Sequence, residues 1–347
     1  MTMRIFSVLA CVGLLVGCEG ALGKGDVDPS PVATFDAVWA DFHDYYGLFA
    51  VKGVDWDASY ARYRPMVSEG STDEELYGVL VAMLAELDDA HVTLYPATEP
   101  ALPVWSVDLV DGVYVEPPFD EDLVIASYLV DARSPHPAIT YGHLADGIGY
   151  LHIADFDGSV KQYEGPIDAA LRALASAPGL IVDIRDNPGG FDPLAQYVAG
   201  RFADARRLYM TVRKRSGPDA GDFTAPIDWY VAPSGGSQYT KPIAVLTSYQ
   251  TESAGETFLL AMDTLPHVTR IGGTTGGALS DNILREAGNG WAYTISVGDY
   301  RDANGTSYEG VGIAPDVAVD GSYEAIRAGV DTVLEAADAY LAARVLN

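Results

Sequence analysis

Two short apolar runs constrain this chain more than any other feature. GLIVDI (179–184) and IAVLT (243–247) are almost continuously aliphatic and bounded by turn residues. A strand that alternates apolar and polar side chains buries one face, whereas a strand without alternation is covered on both. Helical patterns follow each run: DPLAQYVAGRFA after the first and SAGETFLLAMDTL after the second. Upstream, the strand-like IGYLHI (148–153) leads into the helix-like VKQYEGPIDAALRALASA. This repeated strand–helix alternation predicts an α/β domain over 148–347. Later come WAYTISVGDY and a C-terminal helix within YEAIRAGVDTVLEAADAYLAARV.

Residues 32–97 carry a different pattern. Phe35, Val38, Trp39 and Phe42 fall at helical spacing, and Leu76, Val79, Leu80, Met83, Leu84 and Leu87 form one apolar stripe. Ser71 with Glu74 fits a capping box at the start of that second helix. Its end near Asp88-Asp89 delivers His91 just beyond the C-terminus. Residues 98–147 hold short β-like runs and form a connecting segment.

The first eighteen residues have a basic start, MTMR, and an apolar run too short to span a bilayer comfortably. The run ends in LVGC, which resembles the bacterial lipobox, so Cys18 is the expected lipidation site. Cys11 lies within the removed segment, which leaves no pair for a disulfide. EGALGKGDVDPSP (19–31) reads as a flexible tether. The expectation is an exported protein that meets the membrane through a lipid anchor, periplasmic or at the cell surface. The alternative is an ordinary signal peptide with an incidental cysteine. With 49 acidic against 21 basic residues and a formal charge of −28, the chain has no cationic cluster for nucleic acid.

Two loops carry candidate chemistry. Ser253, in SYQTESAGETF (248–258), follows a buried strand and opens a helix, where free N–H groups and the helix dipole favour negative charge. An N-cap serine would use the same place. IVDIRDNPGGF (181–191) breaks a strand into Asn-Pro-Gly-Gly, and the Gly189 and Gly190 N–H groups could form half of an oxyanion hole. A plain tight turn is the other reading. In open α/β sheets ligands bind beyond the carboxyl ends of strands, where both loops are predicted.

IGYLHI, DIRDNPGG, TESAGE and YEGVGIAPDV, in that order, resemble the C-terminal-processing (tail-specific) serine proteases and their tricorn-core relatives. LAELDDAHVTLY resembles the helical N-terminal region of the same family. The resemblance implies a ClpP/crotonase-like α/β catalytic core behind an N-terminal helical region, and a peptide or protein substrate. It implies Ser253 as nucleophile, with Ala254 beside Gly189 and Gly190 at the oxyanion. In the processing branch a lysine some two dozen residues after the serine is the base, but no lysine follows Lys241 here. The tricorn-like branch uses a histidine from the N-terminal region, matched by His91, and a late glutamate, matched by Glu309, which is expected to orient it. A serine often precedes that histidine; this chain has Ala90. Glu256 matches a family position and either supports the site or complements the helix N-terminus.

A histidine base suits a serine hydroxyl, which is a poor nucleophile until its proton is removed. His43, His136, His143, His152 and His267 show no metal-ligand spacing, and IGGTTGGA lacks the lysine of a phosphate loop. No metal or organic cofactor is expected. Residues 98–147 are too few for a usual PDZ domain. Two competing readings stand: a binding lipoprotein that keeps the fold without reacting, and an acyl-thioester enzyme of the crotonase kind.

Overall fold

The computed structural model describes residues 28–97, 101–110, 113–114 and 116–345. The expected signal peptide, Cys18 and residues 19–27 of the expected tether lie outside the described residues. Among the described residues no helix is long and apolar enough to cross a membrane.

The N-terminal lobe is helical, as expected. Helix α1 (Pro31–Tyr45) starts at Ser30, whose hydroxyl accepts the Ala33 N–H, with Pro31 in the first turn where its missing N–H costs nothing. Helix α2 (Phe49–Lys52) stops at Gly53, which adopts φ 68°. Helix α3 (Trp56–Tyr63) is capped by Asp55. Helix α4 (Asp73–Leu84) is capped by Thr72 and Glu75 rather than by Ser71 and Glu74. The stretch STDEE offers two such boxes one residue apart, and the observed one turns Leu76, Leu80, Met83 and Leu84 into the core.

The lobe is completed by residues from far along the chain. Strand β1 (Leu94–Tyr95) pairs with β13 (Ala292–Ser296), which pairs with β12 (Asn282–Glu286), all antiparallel. Trp291, Tyr293 and Ile295 join Phe35, Phe42, Leu80 and Leu84 in one core cluster.

The connecting segment holds the small pair β2 (Leu109–Val110) and β3 (Val113–Tyr114) and the short helix α5 (Glu121–Leu123). It also holds β4 (Arg133–His136) and β5 (Ile139–His143), and these belong to the main sheet. The boundary drawn at 148 therefore divides a hairpin: β5 is antiparallel to β6 (Gly149–Ile153) through a full five-residue register. Exposed residues in β4 masked its strand pattern, because it is the sheet edge.

The main sheet has the order β15-β11-β10-β7-β6-β5-β4. Strands β6, β7 (Leu180–Asp183), β10 (Ile243–Thr247), β11 (Val268–Gly272) and β15 (Val317–Ala318) run parallel. Both central runs are covered on two faces. Leu180, Val182, Ile243 and Val245 face one core with α6 (Val160–Ala173), α7 (Asp192–Ala199) and α8 (Ala254–Asp263). Ile181, Ala244 and Leu246 face the other, with Val333, Leu334 and Leu341 of α10 (Thr332–Val345). Helix α9 (Tyr323–Arg327) precedes α10. A side sheet of β8 (Arg207–Lys214), β9 (Ile227–Val231) and β14 (Gly298–Asp302) flanks α8.

Arg185, just past β7, is buried and forks between two carboxylates. It donates to Asp183 at 2.6 Å and to both oxygens of Asp331 at 2.8 Å. Asp331 in turn accepts the Leu334 N–H at the start of α10. This bidentate geometry locks the C-terminal helix to the end of β7.

Candidate active site

The NPGG turn and the Ser253 loop leave the carboxyl ends of two adjacent parallel strands, β7 and β10, so the topology alone sets them side by side. Ser253 occupies the N-cap position of α8, but its side chain caps nothing. Its backbone sits at φ 52°, ψ −120°, and among the described residues only Asp88 is another non-glycine with positive φ. Such a conformation is sterically costly and persists only where the surroundings impose it. A strained strand-to-helix turn that presents a serine also occurs in nucleophile elbows, whereas a capping serine bonds first-turn amides, which Ser253 does not.

The surroundings are specific. The Ser253 N–H donates to Ala278 O at 2.8 Å, and Glu252 N–H to Asn187 O at 3.0 Å. Gly189 has φ 105°, and a Cβ there would stand 2.6 Å from the Ser253 Cβ. Gly190 has φ 132°, and a Cβ there would strike the Phe156 carbonyl carbon at 2.4 Å. Both positions thus demand glycine for space as well as conformation.

The expected pairing of Gly189 and Gly190 as oxyanion donors needs a correction. Gly189 N–H already donates to Asn187 Oδ1 at 2.9 Å, so it shapes the turn. The bridge between Gly190 and Phe156 uses Gly189 O and Phe191 N–H, which leaves the Gly190 N–H out of the pairing. Ala254 N–H opens α8, where first-turn N–H groups lack helical acceptors.

Glu256 is fully buried and its role is architectural. Its carboxylate accepts the Thr275 hydroxyl at 2.5 Å and the N–H groups of Gly277 (2.9 Å) and Ala278 (2.8 Å). Ala278 then returns its carbonyl to Ser253. Burial pushes the Glu256 carboxyl up to about 7, against the pull of those donors.

His91 sits in the turn between α4 and β1. Asp88 makes the turn with φ 47°. Asp89 Oδ1 accepts the His91 N–H at 2.9 Å, and its Oδ2 accepts the Tyr46 hydroxyl at 2.9 Å. His91 O accepts the Thr294 hydroxyl at 2.6 Å, so β13 also fixes the turn. Burial lowers the imidazole below its ordinary range, partly offset by Asp89 and Asp281, while Lys52 lowers it further. The shift favours the neutral imidazole. Its Nδ1 is enclosed without a hydrogen-bond partner.

Glu309 differs from expectation. Its Oε2 accepts the Leu279 N–H at 2.9 Å and the Ser280 N–H at 3.3 Å, and its Oε1 lies 3.6 Å from Lys52 Nζ. No hydrogen bond joins it to His91 among the described residues. It holds the loop, not the imidazole. Burial and the Asp89 charge push its carboxyl up to about 8, with Lys52 pulling the other way.

One loop thus links the three expected residues: Ala278 O holds Ser253, Leu279 and Ser280 hold Glu309, and Asp281 acts electrostatically on His91. Sequence reasoning missed Lys52 and Asp281. Lys52 is followed by glycine at a helix end, which is an ordinary C-cap pattern; Asp281 follows the glycine-rich stretch and carries no motif.

The description "Peptidase family S41" matches residues 147–319, and "Tricorn protease C1 domain" matches 33–85. A crystal structure of a putative peptidase from Parabacteroides merdae is 32% identical with a TM-score of 0.78, over 90% of this chain and 96% of that one. A carboxy-terminal-processing protease of Bartonella bacilliformis is 28% identical over 179 residues, which are 50% of this chain and 39% of that protein. The chain thus spans about two-fifths of that relative's length. The crystal structure of the tricorn protease shares the fold, with a TM-score of 0.54 at 17% identity, over 92% of this chain and 37% of that chain. The strained serine and its glycine turn lie within the S41 match, the histidine lies just beyond the tricorn C1 match, and the chain belongs to peptidase family S41.

Proposed function

We propose that this chain is an exported, lipid-anchored serine endopeptidase with Ser253 as nucleophile and His91 as general base. The observation that carries the reading is the Ser253 backbone at φ 52°, held against a turn where only glycine fits. His91 Nε2 takes the Ser253 proton as Oγ attacks a peptide carbonyl. The oxyanion is met by the N–H groups of Gly190 and Ala254. His91 returns the proton to the leaving amine, and water then hydrolyses the acyl-enzyme by the same route in reverse roles. Glu309 and Glu256 position the 275–281 loop. Phe191 and Val311, exposed beside Gly190 and near Glu309, offer apolar surface for side chains of a peptide. The lipid anchor at Cys18 follows from LVGC alone.

One observation favours the second reading, a binding lipoprotein with an idle site: among the described residues no carboxylate bonds to His91 Nδ1. Fluorophosphonate labelling of the full chain in detergent separates the two. Wild type labels, and Ser253→Ala and His91→Ala do not, with casein cleavage lost in parallel. A folded wild type that neither labels nor cleaves sinks the peptidase reading.

A further inference from the structure

Lys52 is the last residue of α2, and its side chain turns inward to only 8% exposure. Its Nζ donates to Asp88 O at 2.5 Å and lies 3.6 Å from Glu309 Oε1, whose side chain is 2% exposed. A Cβ on Gly310 would come within 2.7 Å of Nζ, so the loop of Glu309 closes around the amine. Asp88 is the positive-φ residue of the turn that leads to His91. A single amine therefore joins the turn of the candidate base, on one lobe, to the glutamate loop on the other.

The ammonium has no cationic companion among the groups that act on Glu309. Asp89 faces the cluster from the His91 turn, with Tyr46 beyond α1 and Glu256 from α8. Asp88 and Asp108 share the same neighbourhood, as does the His91 imidazole. Among the described residues Glu309 Oε1 receives no hydrogen bond, and Lys52 is the cation that faces it. A carboxylate buried among other carboxylates takes up a proton unless a cation opposes this.

We propose that Lys52 is a positioning residue of the active site: its ammonium opposes protonation of Glu309, and the ionised carboxylate is the form that grips the Leu279 and Ser280 amides and hence the loop that fixes Ser253. The activity consequence rests on the peptidase reading above; the ionisation claim does not. Burial and the Asp89 charge leave Glu309 near pH 8 even with Lys52 beside it. The ionised form is thus the minor one at pH 7, and loss of the amine shrinks it further. The glutamate's grip on the two amides then weakens, since a carboxylate accepts more strongly than a carboxylic acid.

The test uses full-length Lys52→Met and Lys52→Arg proteins in detergent. Carboxyl-carbon NMR of glutamate-labelled protein follows the Glu309 resonance, identified by its loss in Glu309→Gln. The expected result is a midpoint raised by about one unit or more in Lys52→Met, a tenfold change in proton affinity, and largely restored in Lys52→Arg. Fluorophosphonate labelling at pH 7 slows by roughly the same tenfold and recovers as pH rises, and Lys52→Met adds nothing to Glu309→Gln. Lys52→Gln serves in its place if the methionine variant unfolds. A Glu309 midpoint that stays put in a folded variant overturns the proposal, as does an additive double variant. If the wild type fails to label, the peptidase reading falls while the midpoint still decides the role of Lys52.

Discussion

Gly189 leaves no room for a side chain beside Ser253: a single added carbon on the glycine would stand 2.6 Å from the serine Cβ and 2.8 Å from the Ala254 nitrogen. The turn after β7 therefore serves as a stop against which the strained serine is set. Gly189→Ala is expected to displace Ser253 and to cut the labelling rate roughly 100-fold, the usual cost of a misplacement near 1 Å. It should also destabilise the protein by about 1–3 kcal/mol through overpacking and positive φ. Side-by-side labelling and thermal melts check both; an alanine variant that labels normally removes the stop from the account.

Ser253 gives a second expectation with the opposite sign on stability. Ser253→Gly relieves a left-handed conformation that serine adopts at a cost of order 1–3 kcal/mol. Part of that gain is cancelled by the extra freedom of glycine in the unfolded chain. The variant should melt at or above the wild type while losing all labelling. Ser253→Ala, which retains a Cβ and the strain, should melt no higher than wild type. A glycine variant clearly less stable than the alanine variant contradicts the strain assignment.

As the proposed base, His91 should set an acid limb of labelling. Burial lowers its pKa below the ordinary 6.5, so the neutral, proton-accepting form persists into mildly acidic solution. In Glu309→Gln, which removes the carboxyl that titrates near pH 8, the rate of Ser253 labelling should show an acid limb centred below pH 6.5. His91→Ala should lower it by roughly 100-fold or more and abolish this limb, as expected for loss of a general base. A limb centred above 6.5 in Glu309→Gln argues that a group other than His91 titrates.

Glu256 contributes to pH-dependent stability with a definite sign. Its carboxyl is raised in the folded protein to about 7 from an ordinary 4.5. The folded state thus binds this proton more tightly than the unfolded chain. The stabilisation is complete below pH 4.5 and is lost as pH rises through 7. Such a shift corresponds to a few kcal/mol at most. Glu256→Gln cannot titrate, so the wild type should lose stability relative to it between pH 5 and pH 8, whatever the offset between the two curves. Parallel curves over that range contradict the assignment.

The parts of this fold that were legible share one property, that local pattern and global burial agree. IAVLT and GLIVDI read as two-sided strands because each alternate residue meets a different core. The Ser253 and NPGG loops were placed together because strand ends fix their position. What stayed hidden depends on contacts that leave no local trace. β4 looks irregular because its residues are exposed at an edge. The pairing of β1 with β13 has no periodicity of its own. Lys52 resembles an amphipathic helix end, and its partner is Glu309, more than two hundred residues onward. The expectation that Glu309 orients His91 came from order along the chain, and order says nothing about which oxygen meets which nitrogen.

The β12–β13 hairpin has a consequence for the moment at which this protein becomes competent. Thr93 and Thr294, 201 residues apart, hold the His91 turn in place. Contacts this distant close late, because the intervening chain must be ordered first. A ribosome delivers the helical lobe early, yet that lobe lacks Trp291, Tyr293 and Ile295 until those residues emerge in their turn. The serine loop waits as long, because Ala278 holds Ser253 and Glu309 holds Leu279 and Ser280. Both halves of the candidate site thus draw on one late stretch, 275–309, and the serine and the histidine are set in place together when that stretch folds.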